Sequence, residues 1–342
     1  MDLMKRSAIG ALSLSLFTIQ ANAAHFDSQW ALENKGQKVC RFDGKNCIDG
    51  KVGVDIKAKQ AWTKNRDCRA IITAVLDTGA DLRHPDLQSN LLPGKSFVDN
   101  VASAQDDNLH GTHVSGIIAG AGSEAKGVMG VCNQAKILPV KVGSAEGYLT
   151  DADVIEGIDY AVKQGAKVVN GSFGGGPTNK LVKSAIQKAS GTLFIFAAGN
   201  GDMFGRGFDI DRQAVYPASY DLANIVAVAA TDSQDRLGSF SNFGAKRVHI
   251  AAPGVNILST MPMVATPEMV GAKIPTEAGA IDGTSMATPY VAGAVALVWS
   301  KNPKLKAADV KKRLLASADK TAALKGKVQS GRLNLAKLME AK

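Results

Sequence analysis

Three short stretches of the 342-residue chain carry the residue types that acyl transfer needs. They are Val75-Leu76-Asp77-Thr78-Gly79, His110-Gly111-Thr112-His113 and Gly283-Thr284-Ser285-Met286-Ala287. A serine hydroxyl is a weak nucleophile until a base takes its proton, and an imidazole serves as that base when a carboxylate fixes its tautomer. The spacing therefore casts Asp77 as orienter, His110 as general base and Ser285 as nucleophile. They stand 33 and then 175 positions apart, so only a fold can assemble them. Their order, acid then histidine then serine, differs from the Ser-Asp-His order of α/β-hydrolases. Taken singly, each residue has a plainer reading as a strand-end acid, a capping histidine or a helix-capping serine.

The elements around them explain how assembly is achieved. Apolar runs at 70–77, 136–142, 168–170, 193–198 and 225–230 alternate with helical patterns. Several are continuously apolar, as strands are when both faces of a parallel sheet are covered. The clearest helix spans 151–164, with Val154, Ile158 and Val162 as its stripe and Gly165 as its stop. The alternation predicts a three-layer α/β/α fold with a central, mostly parallel sheet in a single domain over 24–342. Asp77 then ends a strand, where open α/β sheets gather ligands. His110 lies at the start of an apolar helix at 112–121, and Ser285 begins another at 286–300. A serine at a helix N-terminus has free N–H groups and a positive dipole end beside it, which suits a developing oxyanion.

Composition sets the outer limits. With 45% hydrophobic residues the chain can bury one large core, and no repeat or low-complexity tract interrupts it. Lys5 and Arg6, an apolar run at 8–19 and Ala21-Asn22-Ala23 have the pattern of a secretory signal over 1–23. About 12 apolar residues fall short of the roughly 20 that span a bilayer, so no stable membrane span is expected and the mature chain is placed outside the cytoplasm. Export permits disulfides, and of the three pairings open to four cysteines Cys40–Cys47 and Cys68–Cys132 are favoured. The first closes a small loop. The second joins the starts of two strands that a parallel sheet would place side by side.

The net charge of +9 is concentrated in residues 301–342, which hold 12 Lys/Arg against 3 Asp/Glu. A helix at 307–318 has Val310 and Leu314 one turn apart, leaving Lys311, Lys312 and Arg313 on a solvated face. The segment contains no aromatic residue to stack on bases, so nucleic acid is not an expected partner. His110 and His113 lack a third ligand, and no Cys-x-x-Cys pair occurs; the chemistry requires no metal or cofactor.

The three motifs, in this order, resemble those of the subtilases, the subtilisin-type serine peptidases. The resemblance runs from Gln29-Trp30-Ala31-Leu32 to Gly331-Arg332-Leu333-Asn334. It implies that Asn200, in Ala197-Ala198-Gly199-Asn200, is the side-chain oxyanion donor beside the Ser285 N–H. It also implies that Ser172, Phe173 and Gly174 pair with an extended substrate, with Ala197, Ala198 and Gly199 as the opposite wall of the primary pocket. Val215 matches the base of that pocket, and Tyr148 a more distant one. His113 matches the second histidine of its motif rather than the base, and His84 falls in a turn. Asp209 and Asp211 are read as turn residues. Asp86 matches a calcium ligand of the family, but 121–126 lacks the asparagine-rich pattern that completes the site; structural calcium is left open.

Many secreted subtilases carry an inhibitory pro-domain of many tens of residues. Here 53 residues lie between Ala23 and Asp77, and they already resemble a mature N-terminus. The expectation is a chain that folds unaided or with a separate factor. The function expected is a secreted serine endopeptidase acting on polypeptides through an acyl-enzyme, as a monomer. The rival is a catalytically idle subtilase-like binding domain.

Overall fold

The computed structural model describes residues 25–341, so the export signal read at 1–23 lies outside the described residues. Seven strands form the central sheet: β1 (Asp67–Asp77), β2 (Lys95–Ser96), β3 (Gln134–Lys141), β4 (Val168–Gly171), β5 (Leu193–Ala197), β6 (Ile225–Thr231) and β7 (Ile250–Pro253). Their order is β7-β6-β5-β4-β1-β3-β2, and every pairing is parallel. The five strands expected from apolar runs are all present, with no end displaced by more than three residues. The two edge strands β2 and β7 were not foreseen; four-residue and two-residue strands carry too little pattern to read.

Side chains along the strands alternate between two cores. Val75, Ile137, Val168 and Leu193 face one layer, with Val114, Ile117, Val291 and Val295. Their neighbours Leu76, Leu138, Val169 and Phe194 face the other, with Val154, Ile158, Val182 and Ile186. Continuous apolar runs are the consequence of burial on both faces. The helices are α1 (His110–Ala119), α2 (Asp151–Lys163), α3 (Lys180–Lys188), α4 (Thr284–Lys301) and α5 (Ala307–Ala316). Thr150 caps α2 by accepting the Asp153 N–H at 3.1 Å, and Gly165 leaves it at φ 81°. Val162, expected on the α2 stripe, is exposed, and Ala161 packs on the sheet instead. Helix α3 was missed; Asn179 starts it by accepting from the Leu181 and Val182 N–H groups.

Helix α4 runs through the first core, buried from Thr284 to Trp299. Both disulfides form as expected: Cys40–Cys47, and Cys68–Cys132 with Cα atoms 5.9 Å apart. The second follows from β1 and β3 being parallel neighbours, with Asp67 in register with Gln134. Among the described residues no helix is long and apolar enough to cross a membrane.

Candidate active site

Sheet register builds one side of the site. Leu76 lies beside Gly171, and Gly171 beside Phe196. The next residue on each strand therefore comes abreast of the others: Asp77, Ser172 and Ala197 form a row at the carboxyl edge. The glycines of the first two motifs let a helix approach that row. A β-carbon on Gly111 would sit 2.0 Å from the Gly79 carbonyl oxygen, so only glycine allows His110 to reach β1.

His110 opens α1, two residues earlier than expected, and its Nδ1 lies 2.8 Å from Asp77 Oδ1. The Thr78 N–H donates to the same oxygen at 2.8 Å. Asp77 is buried, whereas His110 keeps 29% of its side chain in contact with solvent. Because Nδ1 donates to the carboxylate, Nε2 is left as the basic nitrogen. Burial works against the charged imidazole, but the charge and hydrogen bond of Asp77, aided by Asp106, outweigh it and raise the His110 pKa above its usual 6.5.

Asp106 is a second buried carboxylate behind the histidine, and sequence reasoning passed it over. It accepts from Thr78 Oγ1, from the Asn108 N–H and from the Thr112 N–H. Asn108 Oδ1 in turn accepts the His110 N–H at 3.1 Å. Lys141 was also missed. It is fully buried at the end of β3 in register with Asp77, and its Nζ donates to the Thr78 and Gly143 carbonyls and to Asp107 Oδ1. The run 136–142 holds two lysines, and nothing local separates the buried Lys141 from the exposed Lys136.

Ser285 is the second residue of α4, and its Oγ donates to the Ser172 carbonyl at 2.8 Å. Ser172 and Phe173 line one cavity of about 190 Å³ with Asp77 and His110. The structure thus joins acid and histidine directly and brings the serine to the segment facing them. Asn200 is fixed from the same helix: its Oδ1 accepts both the Thr284 N–H and the Thr284 hydroxyl at 2.8 Å. A backbone N–H can only donate, so this contact settles which end of the amide is oxygen. Nδ2 is left free to donate elsewhere.

The segment expected to meet substrate directly follows β4. Ser172 is buried, Phe173 packs edge-on against Phe196 at 5.9 Å, and Gly174 is exposed. Val215 Cγ1 would be 3.4 Å from a β-carbon on either Gly174 or Gly199, which places it between the two expected walls. A larger cavity of about 490 Å³ continues past Phe173 and Gly174 to Leu149 and Tyr216, with Tyr148 exposed at its rim.

The competing histidines are committed elsewhere. His84 accepts the Asp86 N–H and holds the Glu277 carbonyl; His113 donates Nε2–H toward the Ile257 and Gly279 carbonyls. Burial drives the His113 pKa down to about 3. Asp209 and Asp211 are turn residues, with Asp211 accepting the Lys246 and Arg247 N–H groups. Asp86 accepts the Val128 N–H at 2.8 Å. Among the described residues no group of three or more His, Cys, Asp or Glu gathers to hold a metal.

A parallel sheet carrying an acid–histidine pair and a helix-borne serine at its carboxyl edge defines a hydrolase of the serine peptidase class. The chain belongs to the subtilase family, whose sequence model matches residues 69–334. It is similar to thermitase of Thermoactinomyces vulgaris, 36% identical over 287 residues that cover 83% of this chain and 94% of that protein. It is likewise 36% identical to subtilisin DY of Bacillus licheniformis over 265 residues, 77% of this chain and 89% of that protein. The major intracellular serine protease of Bacillus subtilis (strain 168) is 38% identical over 252 residues, 72% of this chain and 73% of that protein. As a subtilase the chain is a serine endopeptidase acting on polypeptides.

Proposed function

We propose that Asp77, His110 and Ser285 hydrolyse peptide bonds through an acyl-enzyme, with Asn200 Nδ2 and the Ser285 N–H as oxyanion donors. The observation that carries this reading is the 2.8 Å contact from His110 Nδ1 to Asp77, which leaves Nε2 basic. Ser285 Oγ exchanges its bond to the Ser172 carbonyl for one to His110 Nε2. His110 takes the proton as Oγ attacks the carbonyl carbon, and Asp77 stabilises the imidazolium. The oxyanion then meets Asn200 Nδ2 and the Ser285 N–H, one of the first-turn donors of α4 that lack a partner a turn back. His110 delivers its proton to the leaving amine, and water repeats the sequence on the ester.

The substrate lies extended along Ser172, Phe173 and Gly174 as an added strand. Its side chain enters between Gly174 and Ala197, Ala198 and Gly199, where Val215 makes the pocket shallow and favours medium apolar groups. The enzyme works after export, in the periplasm or outside the cell, as a monomer. Labelling with a fluorophosphonate probe tests the chemistry: the wild type should label and Ser285→Ala should not. Equal labelling of both would overturn the nucleophile assignment, and an unlabelled wild type would favour an idle binding domain.

A further inference from the structure

Lys311, expected on the solvated face of α5, turns instead toward the sheet. Its Nζ donates to the Ile225 carbonyl at 2.6 Å and lies 3.0 Å from His249 Nε2. The protonation of that pair follows from the backbone. The β6–β7 ladder begins at Val228 and Ile250, so the buried Ala227 N–H just ahead of it meets no carbonyl from β7. His249 supplies the acceptor: its ring Nδ1 takes the Ala227 N–H at 3.0 Å, while its backbone N–H goes to the Ala227 carbonyl. A neutral imidazole accepting at Nδ1 carries its proton on Nε2. Nε2–H then points at Lys311, and an ammonium has no lone pair to receive it. The contact is a hydrogen bond only when the lysine is an uncharged amine.

We propose that Lys311 gives up its proton far more readily than an ordinary lysine and, as the neutral amine, is a site of covalent modification by small carbonyl compounds. It opens on a cavity of about 600 Å³ that none of Asp77, His110, Ser172 and Ser285 lines, and whose wall includes Asp211, Asp221, Lys246, Arg247, His249 and Gln329. Asp211 is occupied by two backbone N–H groups, and Arg247 donates to the Ile210 and Asp211 carbonyls. Lys246 adds a second cation to the wall, and Asp221 is the acid that favours the charged amine. Burial outweighs Asp221 and brings the Lys311 pKa down to about 8. Burial, and then the neighbouring lysine, hold His249 down to about 3. In the reaction the amine lone pair attacks the carbonyl carbon and a C–N bond forms. The carbonyl oxygen leaves as water with both amine hydrogens, giving an imine.

Brief exposure to formaldehyde with cyanoborohydride, which reduces the imine, followed by peptide mass spectrometry, tests the site. An ordinary lysine, with a pKa of about 10.4, is about one part in a thousand neutral at pH 7.5. Lys311 should be methylated about tenfold or more faster than the exposed Lys312 next to it, with a half-maximal rate near pH 8. Asp221→Asn should move that midpoint lower and leave Lys312 unchanged. Methylation of Lys311 no faster than Lys312, or a rate rising only above about pH 10 as for ordinary lysines, would overturn the proposal. A midpoint that does not fall in Asp221→Asn would overturn its electrostatic basis.

Discussion

Ser172 and Ser285 exchange hydrogen bonds. The Ser285 hydroxyl donates to the Ser172 carbonyl and the Ser172 hydroxyl donates to the Ser285 carbonyl, each at 2.8 Å. The second bond has a cause in the sequence. Within α4 the Ser285 carbonyl should accept from residue 289, but Pro289 has no N–H to give. Ser172 Oγ takes its place, and Asn170 Nδ2 completes that hydroxyl at 2.9 Å. Ser172→Ala should leave a buried carbonyl and a buried amide unpaired, at a cost of about 1–3 kcal/mol. Urea unfolding measures that cost. Activity should fall as well, by up to about 10²-fold, because the lost hydroxyl holds the Ser285 carbonyl and with it the backbone that carries the proposed nucleophile. A variant with native stability and full kcat would show the exchange to be incidental.

The Asp77–His110 contact sets the pH response. Only neutral His110 can take a proton from Ser285, and its pKa is raised above the usual 6.5. The acidic limb of kcat/KM should therefore have its midpoint above 6.5. Asp77→Asn removes the charge that opposes burial, so the midpoint should drop while kcat falls about 10⁴-fold. Stability follows the opposite limb. A histidine whose folded pKa is raised stabilises the fold below its unfolded pKa, and that contribution is lost as pH rises through the folded value. An acidic limb that does not move in Asp77→Asn would sever His110 from the profile.

Asn200 offers a cleaner separation of binding from chemistry. With Oδ1 held by Thr284, Nδ2 is free to donate, and on the proposed mechanism it meets charge that develops only in the transition state. Asn200→Ala should cost about 10²–10³ in kcat, the loss seen for the equivalent donor in subtilisin, with little change in KM. Asn200→Asp should cost more, since it puts a carboxylate where an oxyanion must form. A rise in KM with kcat intact would make Asn200 a ground-state contact.

How much of this could be read from the chain depends on what each feature advertises. The strands β1, β3, β4, β5 and β6 are long or apolar enough to show, and β1 ends on the first motif at Asp77. Helix α4 is legible because it is apolar on every side. Asp106 and Lys141 were not legible, because a polar residue that is buried and satisfied by distant partners has no local signature. Val162 and Lys311 failed for a related reason. Periodicity assigns a face but not what the neighbouring layer presents there, and a histidine just ahead of β7 drew Lys311 inward.

The two disulfides should differ in weight. On loop-closure entropy, Cys68–Cys132, which links residues 64 positions apart, contributes about 4 kcal/mol, and the seven-residue separation of Cys40–Cys47 about 2–3 kcal/mol. The first also ties β1 to β3 inside the main core, where both sulfurs are buried. Replacing Cys68 and Cys132 with alanine should lower the midpoint of thermal unfolding more than the same change at Cys40 and Cys47. The reverse ranking would mean that native packing, not chain entropy, decides.

Lys141 ties the two halves of the acid–histidine pair from beneath. Its three contacts fall on Thr78, which follows Asp77; on Gly143, beyond β3; and on Asp107, in the turn that leads to His110. Lys141→Met keeps the length of the stem but leaves two carbonyls without a donor, at about 1–3 kcal/mol each. Total destabilisation should be about 3 kcal/mol or more. Lys141→Arg should not rescue it, because a planar fork cannot reproduce three hydrogen bonds that radiate from one compact ammonium to three acceptors. The effect should extend to chemistry. Thr78 and Asp107 flank Asp77 and His110, so freeing both turns should lower kcat while KM, set along Ser172, Phe173 and Gly174, holds steady. Kinetics taken well below the unfolding temperature of the variant separate the two effects. A native kcat in folded Lys141→Met would reduce the lysine to a purely structural link.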